Sequence, residues 1–259
     1  MEAVDEAPGA ALDEAPGAAL EVEGVTVSFG GLLALDEVNL DVDARSVTGL
    51  IGPNGAGKTT LFNAICGLQS MRRGSVTLDG KNLSRSAPHV RARRGLARTF
   101  QRLEVFGSLS VRDNVRVAAE LHNRFSDVTG EADATVEPIL ERVGIADIAD
   151  EYVDSLPTGI ARLVELARAL ATEPKVLLLD EPSSGLDPSE TSEMGNLLTE
   201  ISSEGLAVLL VEHDVGLVMS TCQRVYVLEF GRIIACGTSE EIRGNEQVQA
   251  AYLGAGRGD

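Results

Sequence analysis

The chain has 259 residues, 44% of them hydrophobic and 24% charged, a balance that buries a core and excludes wholesale disorder. Forty Asp and Glu stand against 22 Lys and Arg, a formal net charge of −18, and a surface that negative repels nucleic-acid phosphate, so nucleic acid is not an expected partner. Cys66, Cys222 and Cys236 are odd in number, far apart and free of CxxC spacing. They read as reduced core residues, not as zinc ligands or a redox pair. The sequence has no uninterrupted apolar run of 18 residues and no basic, apolar leader, so a membrane role requires a partner that does the spanning.

Residues 1–20 contain a perfect octapeptide duplication, Asp5 to Leu12 repeated as Asp13 to Leu20. With one Leu per unit it cannot offset its ordering entropy, and a disordered acidic tail is expected there, with one domain over 21–259. From Leu20 the pattern changes to Val22, Val25, Val27 and Phe29, a Gly30-Gly31 turn, and Leu33 to Val42, an antiparallel opening. A buried strand is expected over Val47 to Ile51, then a Gly-rich loop and a helix from Lys58 to about Leu68. Further strands are expected at Ser75 to Leu78 and Gly95 to Phe100. Helical periodicity takes over at Ser110, whose hydroxyl and Asp113 resemble a capping box. Ile160, Leu163, Val164 and Ala167 form one face of a helix that Pro174 ends. Val176 to Leu179 reads as a parallel strand covered on both sides. A helix over Pro188 to Ser203, a strand over Ala207 to Val211, a helix from Val215 and a hairpin around Gly231 follow. The alternation argues an α/β fold with a mainly parallel sheet, an antiparallel β subdomain, and an inserted α-helical subdomain at roughly 102–170.

Gly52-Pro53-Asn54-Gly55-Ala56-Gly57-Lys58-Thr59 matches the phosphate-binding pattern G-x-x-x-x-G-K-[ST], and Thr60 continues it into the helix. The glycines let backbone N–H groups turn inward on phosphate oxygens at the positive end of a helix. Lys58 is expected to reach the β- and γ-phosphates, and Thr59 to place its hydroxyl on Mg²⁺. The apolar strand that ends in Asp180-Glu181 leaves one carboxylate for the Mg²⁺ shell and a second to orient or deprotonate the attacking water. His213, after the strand Ala207 to Val211, is the candidate that donates to the γ-phosphate or holds Glu181.

With these residues the sequence resembles the ATP-binding subunits of ABC transporters. The resemblance implies a P-loop NTPase core, ATP and Mg²⁺ as ligands, and Gln101, in Arg98-Thr-Phe-Gln101, as a reader of the Mg²⁺-nucleotide. It implies Phe29 as the ring stacked on adenine and Ser184-Gly-Leu-Asp187 as the D-loop, with Asp187 among the nucleotide-binding residues. The signature departs from the family's Leu-Ser-Gly-Gly-Gln: this chain has Leu156-Pro157-Thr158-Gly159-Ile160, so a trans contact to the partner's ATP rests on Thr158 and the amides around Gly159. Two subunits, identical or different, are implied to close head to tail around two ATPs and to drive membrane permease subunits from the cytoplasmic face, with an extracytoplasmic solute-binding protein acting indirectly. Ala97-Arg-Thr-Phe-Gln101, Leu103 to Phe106 and Ala251-Tyr-Leu-Gly254 resemble the branched-chain amino-acid importer type. A soluble ABC ATPase with an assembly or scaffold role is the alternative. Nine bases but only Asp79 as an acid lie between Arg72 and Arg102, either a solvated face or a contact for anionic headgroups or an acidic partner.

Overall fold

The computed structural model describes residues 18–125 and 132–255. Two long antiparallel strands open the chain, β1 (Ala18–Phe29) and β2 (Leu32–Asp43). β1 begins inside the second octapeptide: Ala18 pairs with Asp43, and Leu20 is fully buried between Val42 and Leu78. That corrects the expected boundary at residue 20, because a single Leu with two strand neighbours suffices to anchor three residues. The rest of the expected tail, residues 1–17, lies outside the described residues. The spacing Val22, Val25, Val27 is not strict alternation, and the register of β1 shifts between Val22 and Val25. Gly24, at φ 57°, takes up the extra residue as a bulge, returning the later valines to the core face.

β3 (Val47–Ile51) leads through the Gly-rich loop into α1 (Lys58–Cys66). This helix stops two residues earlier than its pattern suggests, since Gly67 takes the left-handed conformation at φ 77° and returns its N–H to Ala64. β4 (Arg73–Leu78) and β5 (Lys81–Asn82) complete a four-stranded sheet of order β2-β1-β4-β5. A short α2 (Pro88–Arg93), which periodicity did not reveal, precedes β6 (Leu96–Arg98). The inserted subdomain follows as α3 (Val111–Phe125), α4 (Ala132–Val143) and α5 (Thr158–Leu170). Ser110 Oγ accepts the N–H of Asp113 at 3.1 Å, but the Asp113 carboxylate returns to that hydroxyl and not to the backbone, so the box is only half made.

The chain then alternates β7 (Val176–Asp180), α6 (Pro188–Ser203), β8 (Ala207–Val211), α7 (Val215–Thr221), β9 (Arg224–Glu229) and β10 (Arg232–Gly237), closing with α8 (Ser239–Arg243) and α9 (Glu246–Ala255). The second sheet runs β10-β9-β3-β8-β7-β6 and is parallel except at β10. Every residue of β3, β7 and β8 is buried, as a sheet covered on both faces requires. One core joins α1 and the antiparallel sheet to one face; the other joins α3–α7 to the opposite face. The carboxyl ends of β3, β7 and β8 therefore emerge side by side, where α/β sheets bind ligands.

Candidate active site

The loop from β3 to α1 has a shape only glycine permits. A Cβ on Gly52, at φ 154°, would lie 2.0 Å from the Leu228 carbonyl oxygen, and one on Gly57, at φ 111°, would lie 2.9 Å from that of Ala34. The loop and α1 line a cavity of about 370 Å³ through Asn54, Gly55, Ala56, Gly57, Lys58, Thr59 and Thr60, joined from other elements by Gln101, Glu181 and His213. Lys58 is buried and folds back, donating from Nζ to the carbonyls of Gly52 (2.6 Å) and Pro53 (3.1 Å). Burial pulls its ammonium below the usual lysine range, with Glu181 and Asp180 opposing. An under-compensated ammonium beside the unpaired N–H groups of a helix start is an anion site.

Three strands deliver the polar cluster opposite. Asp180 ends β7 at 4% exposure. Its Oδ2 meets Arg98 Nη2 at 2.8 Å, and Arg98 Nη1 donates to Asn63 Oδ1 on α1 at 2.6 Å. Glu181 sits next, in the left-handed region at φ 54° with its N–H on the Val211 carbonyl at 2.8 Å. A non-glycine residue there costs about 1 kcal/mol, and the strain turns the side chain out of the strand into the cavity. One Glu181 oxygen accepts from Gln101 Nε2 at 2.9 Å; the other meets His213 Nε2 at 2.6 Å. A carboxylate gripped on both sides can accept a proton from, or orient, a water placed against it.

Thr59, Gln101 and Asp180 offer hard oxygens suited to Mg²⁺, and the ion pair with Arg98 occupies one Asp180 oxygen. Among the described residues no group of three or more His, Cys, Asp or Glu could hold a metal ion. A magnesium ion held by these oxygens would take the rest of its shell from phosphate oxygens and water, as is usual for that ion.

Of the expected site residues, Gly52, Pro53, Asp180, Phe29, Thr158, Gly159 and Asp187 do not line this cavity; Gly52 and Pro53 meet it through Lys58, and Asp180 precedes Glu181 in the chain. Phe29 ends β1 at 51% exposure. Thr158 and Gly159 open α5, whose N-cap is Pro157 with no side-chain cap. They rest against the start of α6, where Asp187 accepts from the N–H groups of Ser189 (2.7 Å) and Glu190 (2.9 Å) in a full capping box. A Cβ on Gly159 would lie 2.7 Å from Glu190 Oε1, so a larger residue there would push aside the Glu190 side chain that completes the capping box.

Three residues of this neighbourhood have contacts that the sequence does not reveal. Arg98 reads in sequence as one more base of the cluster, but it ends a strand whose register sets it beside Leu178, two residues before Asp180. Arg91 is likewise buried and donates to the carbonyls of Ala64, Ile65, Ser84 and Ser86; the other seven bases of the cluster are exposed. Glu212 is buried after β8 and accepts from the N–H groups of Ser183 (2.8 Å) and His213 (3.1 Å), fixing the backbone on which His213 is mounted. Lying between an apolar strand and the histidine, it gave no signal of its own. Of the cysteines, Cys222 fits the core reading, with burial pushing its thiol up to about 12, whereas Cys236 is exposed.

The ABC transporter family profile matches residues 35–184, and a second, branched-chain amino acid ATP-binding cassette transporter, matches residues 232–257. The high-affinity branched-chain amino acid transport ATP-binding protein BraF of Pseudomonas aeruginosa is 40% identical over 247 residues, 90% of this chain and 97% of that protein. LivG of Escherichia coli K12, with the same description, is 38% identical over 90% of this chain and 96% of its own length. The lipopolysaccharide export system ATP-binding protein LptB of Haemophilus influenzae is 36% identical over 90% and 95%. Among solved structures, the ATP-binding cassette MJ1267 of an ABC transporter superposes with a TM-score of 0.82 at 30% identity, covering 91% of this chain and 98% of its own. A family pattern spanning more than half of the chain, on a fold that presents a phosphate loop to a polar cluster, makes this protein a member of the ABC transporter family: an ATP-binding subunit whose ATP hydrolysis is coupled to transport.

Proposed function

We propose that this chain energises the import of branched-chain amino acids or a related small polar solute, as half of an ATPase dimer that two ATP molecules close and hydrolysis reopens. The observation that carries the catalytic part is Glu181, held by Gln101 and His213 at the mouth of the phosphate loop. In this reading the loop amides from Gly52 to Thr60 bind the α- and β-phosphates. Lys58 leaves the carbonyls of Gly52 and Pro53 for the β- and γ-phosphates, an exchange of neutral for charged acceptors that favours the bound state. Glu181 orients the attacking water and takes its proton, while His213 fixes the carboxylate and donates to the γ-phosphate. Thr59, Asp180 and Gln101 would hold Mg²⁺, which neutralises charge developing on the phosphate oxygens. Phe29 stacks on adenine, and Thr158 with the Gly159 amides reaches the partner's γ-phosphate across the interface. ATP acts as an interfacial ligand, because its affinity for the closed pair exceeds that for the open one until the γ-phosphate is cut.

The solute and the direction rest on similarity to BraF and LivG and on the match over residues 232–257; the export relative LptB is less similar. No helix of the described residues is long and apolar enough to cross a membrane. A cleft of about 490 Å³ between α2–β6 and α3–α5 has Phe100, Phe106, Leu121 and Phe125 on its walls with Arg93, Arg168 and His89 among them. It suits a short helix of a permease at the cytoplasmic face, with a solute-binding protein delivering cargo on the other side. The second ATPase subunit is either another copy or a related chain. Glu181→Gln tests the catalytic reading: ATP binding is retained, turnover falls by about 10²–10⁴, and closed dimer accumulates in light scattering. Parental turnover in that variant would sink the general-base assignment.

A further inference from the structure

Two charged side chains lie deep in α5 without a role so far. Arg162 and Glu165 are 7% and 5% exposed, and Arg162 Nη1 meets Glu165 Oε2 at 3.0 Å. Their helix is otherwise packed through Ala161, Val164, Leu166 and Ala167. A buried ion pair adds little net stability over apolar residues of similar size, so packing alone does not explain this one. The pair directs its other hydrogen bonds to one segment, the loop that carries Gln101. Arg162 donates to the carbonyls of Phe100 (3.1 Å) and Gln101 (2.7 Å). Glu165 Oε1 accepts from the N–H groups of Phe100 (3.4 Å) and Glu104 (3.3 Å). Farther along the helix, Arg168 donates to the Glu104 carbonyl and lies 4.6 Å over the Phe106 ring.

We propose that Arg162 and Glu165 are positioning residues that lock the Gln101 loop to the signature helix, so that the ATP bound by one chain sets the orientation of the turn this chain presents to its partner's ATP. The inference rests on the dimer reading above. Every hydrogen bond from Arg162 and Glu165 to the loop is to backbone, which fixes its path while leaving the Gln101 side chain at Glu181. At the other end, Thr158 and Gly159 lie about one turn before Arg162 on the same rigid helix. Since Pro157 brings neither hydroxyl nor N–H, the trans contact depends on Thr158 and the amides at the helix start, and those amides are aimed only by the helix. A guanidinium fork can bridge two carbonyls and a carboxylate at once; an ammonium cannot hold that geometry.

The test uses the full chain in the transporter complex with which it co-purifies, comparing the parent with the double variant Arg162→Met and Glu165→Met, and with Arg162→Lys and Glu165→Gln. The double variant is expected to fold and to keep its affinity for a fluorescent ATP analogue within about 2-fold, while kcat falls at least about 10-fold and the Hill coefficient for ATP moves toward 1. Arg162→Lys and Glu165→Gln are expected to lower kcat about 3-fold at unchanged nucleotide affinity, and they carry the test should the double variant not fold. Variants with parental kcat and Hill coefficient would overturn the lock. So would a parallel loss of nucleotide affinity and kcat, the mark of general damage. A parental complex that hydrolyses no ATP would remove the dimer reading and this inference together, whereas parental turnover with indifferent variants would remove only the lock.

Discussion

The phosphate loop and the signature turn both begin a helix, and in the proposed dimer both face a phosphate, yet they are made of different material. The loop is backbone: Gly52 and Gly57 occupy conformations where a Cβ would collide with Leu228 or Ala34, and the lysine it buries is folded onto its own carbonyls. The signature turn is a packing solution: Pro157 caps α5 without a side-chain bond, and Gly159 lies against the Glu190 side chain at the start of α6. The comparison teaches that the first site tolerates little change in its own residues, while the second depends on what lies behind it. Departure from the family pattern at residues 157–160 is therefore compatible with an unaltered catalytic cluster in the same chain.

The sharpest way to break this contrast is Lys58→Ala. Removing the one buried ammonium of the loop is expected to weaken ATP binding by at least about 100-fold in calorimetry, on the scale of losing one partner of a desolvated charge pair. Binding at parental strength would mean that the loop amides suffice. A middling effect is expected for Pro157→Ser, which returns a hydroxyl and a favoured N-cap residue to α5: closure on ATP should strengthen about 5-fold in the Glu181→Gln background, matching about 1 kcal/mol for a cap. No change would place the trans contact wholly on amides. The smallest expected effect is that of Phe29→Ala, about 2- to 10-fold in ATP affinity with kcat unchanged, the worth of one ring stacked on another. Equal affinities would assign the base to another partner.

Local pattern carried much of the fold. The short runs Val47–Ile51, Val176–Leu179 and Ala207–Val211 are strands because four or five mostly apolar residues between turns have few other ways to be buried, and β3, β7 and β8 lie on them. α2 was hidden because four of its residues, Pro88, His89, Arg91 and Arg93, are polar or break a helix elsewhere, and only the Pro at its start and the burial of Arg91 explain it afterwards. The candidate site divides the same way. Gly52 to Thr59, Asp180, Glu181 and His213 could be picked out by motif and by position after a strand. The partners of Arg98, Glu212, Arg162 and Glu165 could not, because a charge in a sequence looks the same whether it meets water or a carbonyl.

Sequence alone determined the phosphate loop, the alternation of strand and helix, and the odd signature, since each depends on a residue's own conformational limits or on neighbours within one turn. Only the tertiary structure decided which charges are buried and whom they hold. Arg98 belongs to Asp180, Arg162 and Glu165 to the Gln101 loop, and Arg91 to the end of α1. Those partners lie 26 to 82 residues away along the chain or are backbone atoms that every residue shares, so no local pattern distinguishes them. Desolvation is what makes each pairing obligatory, and burial is a property of the assembled fold.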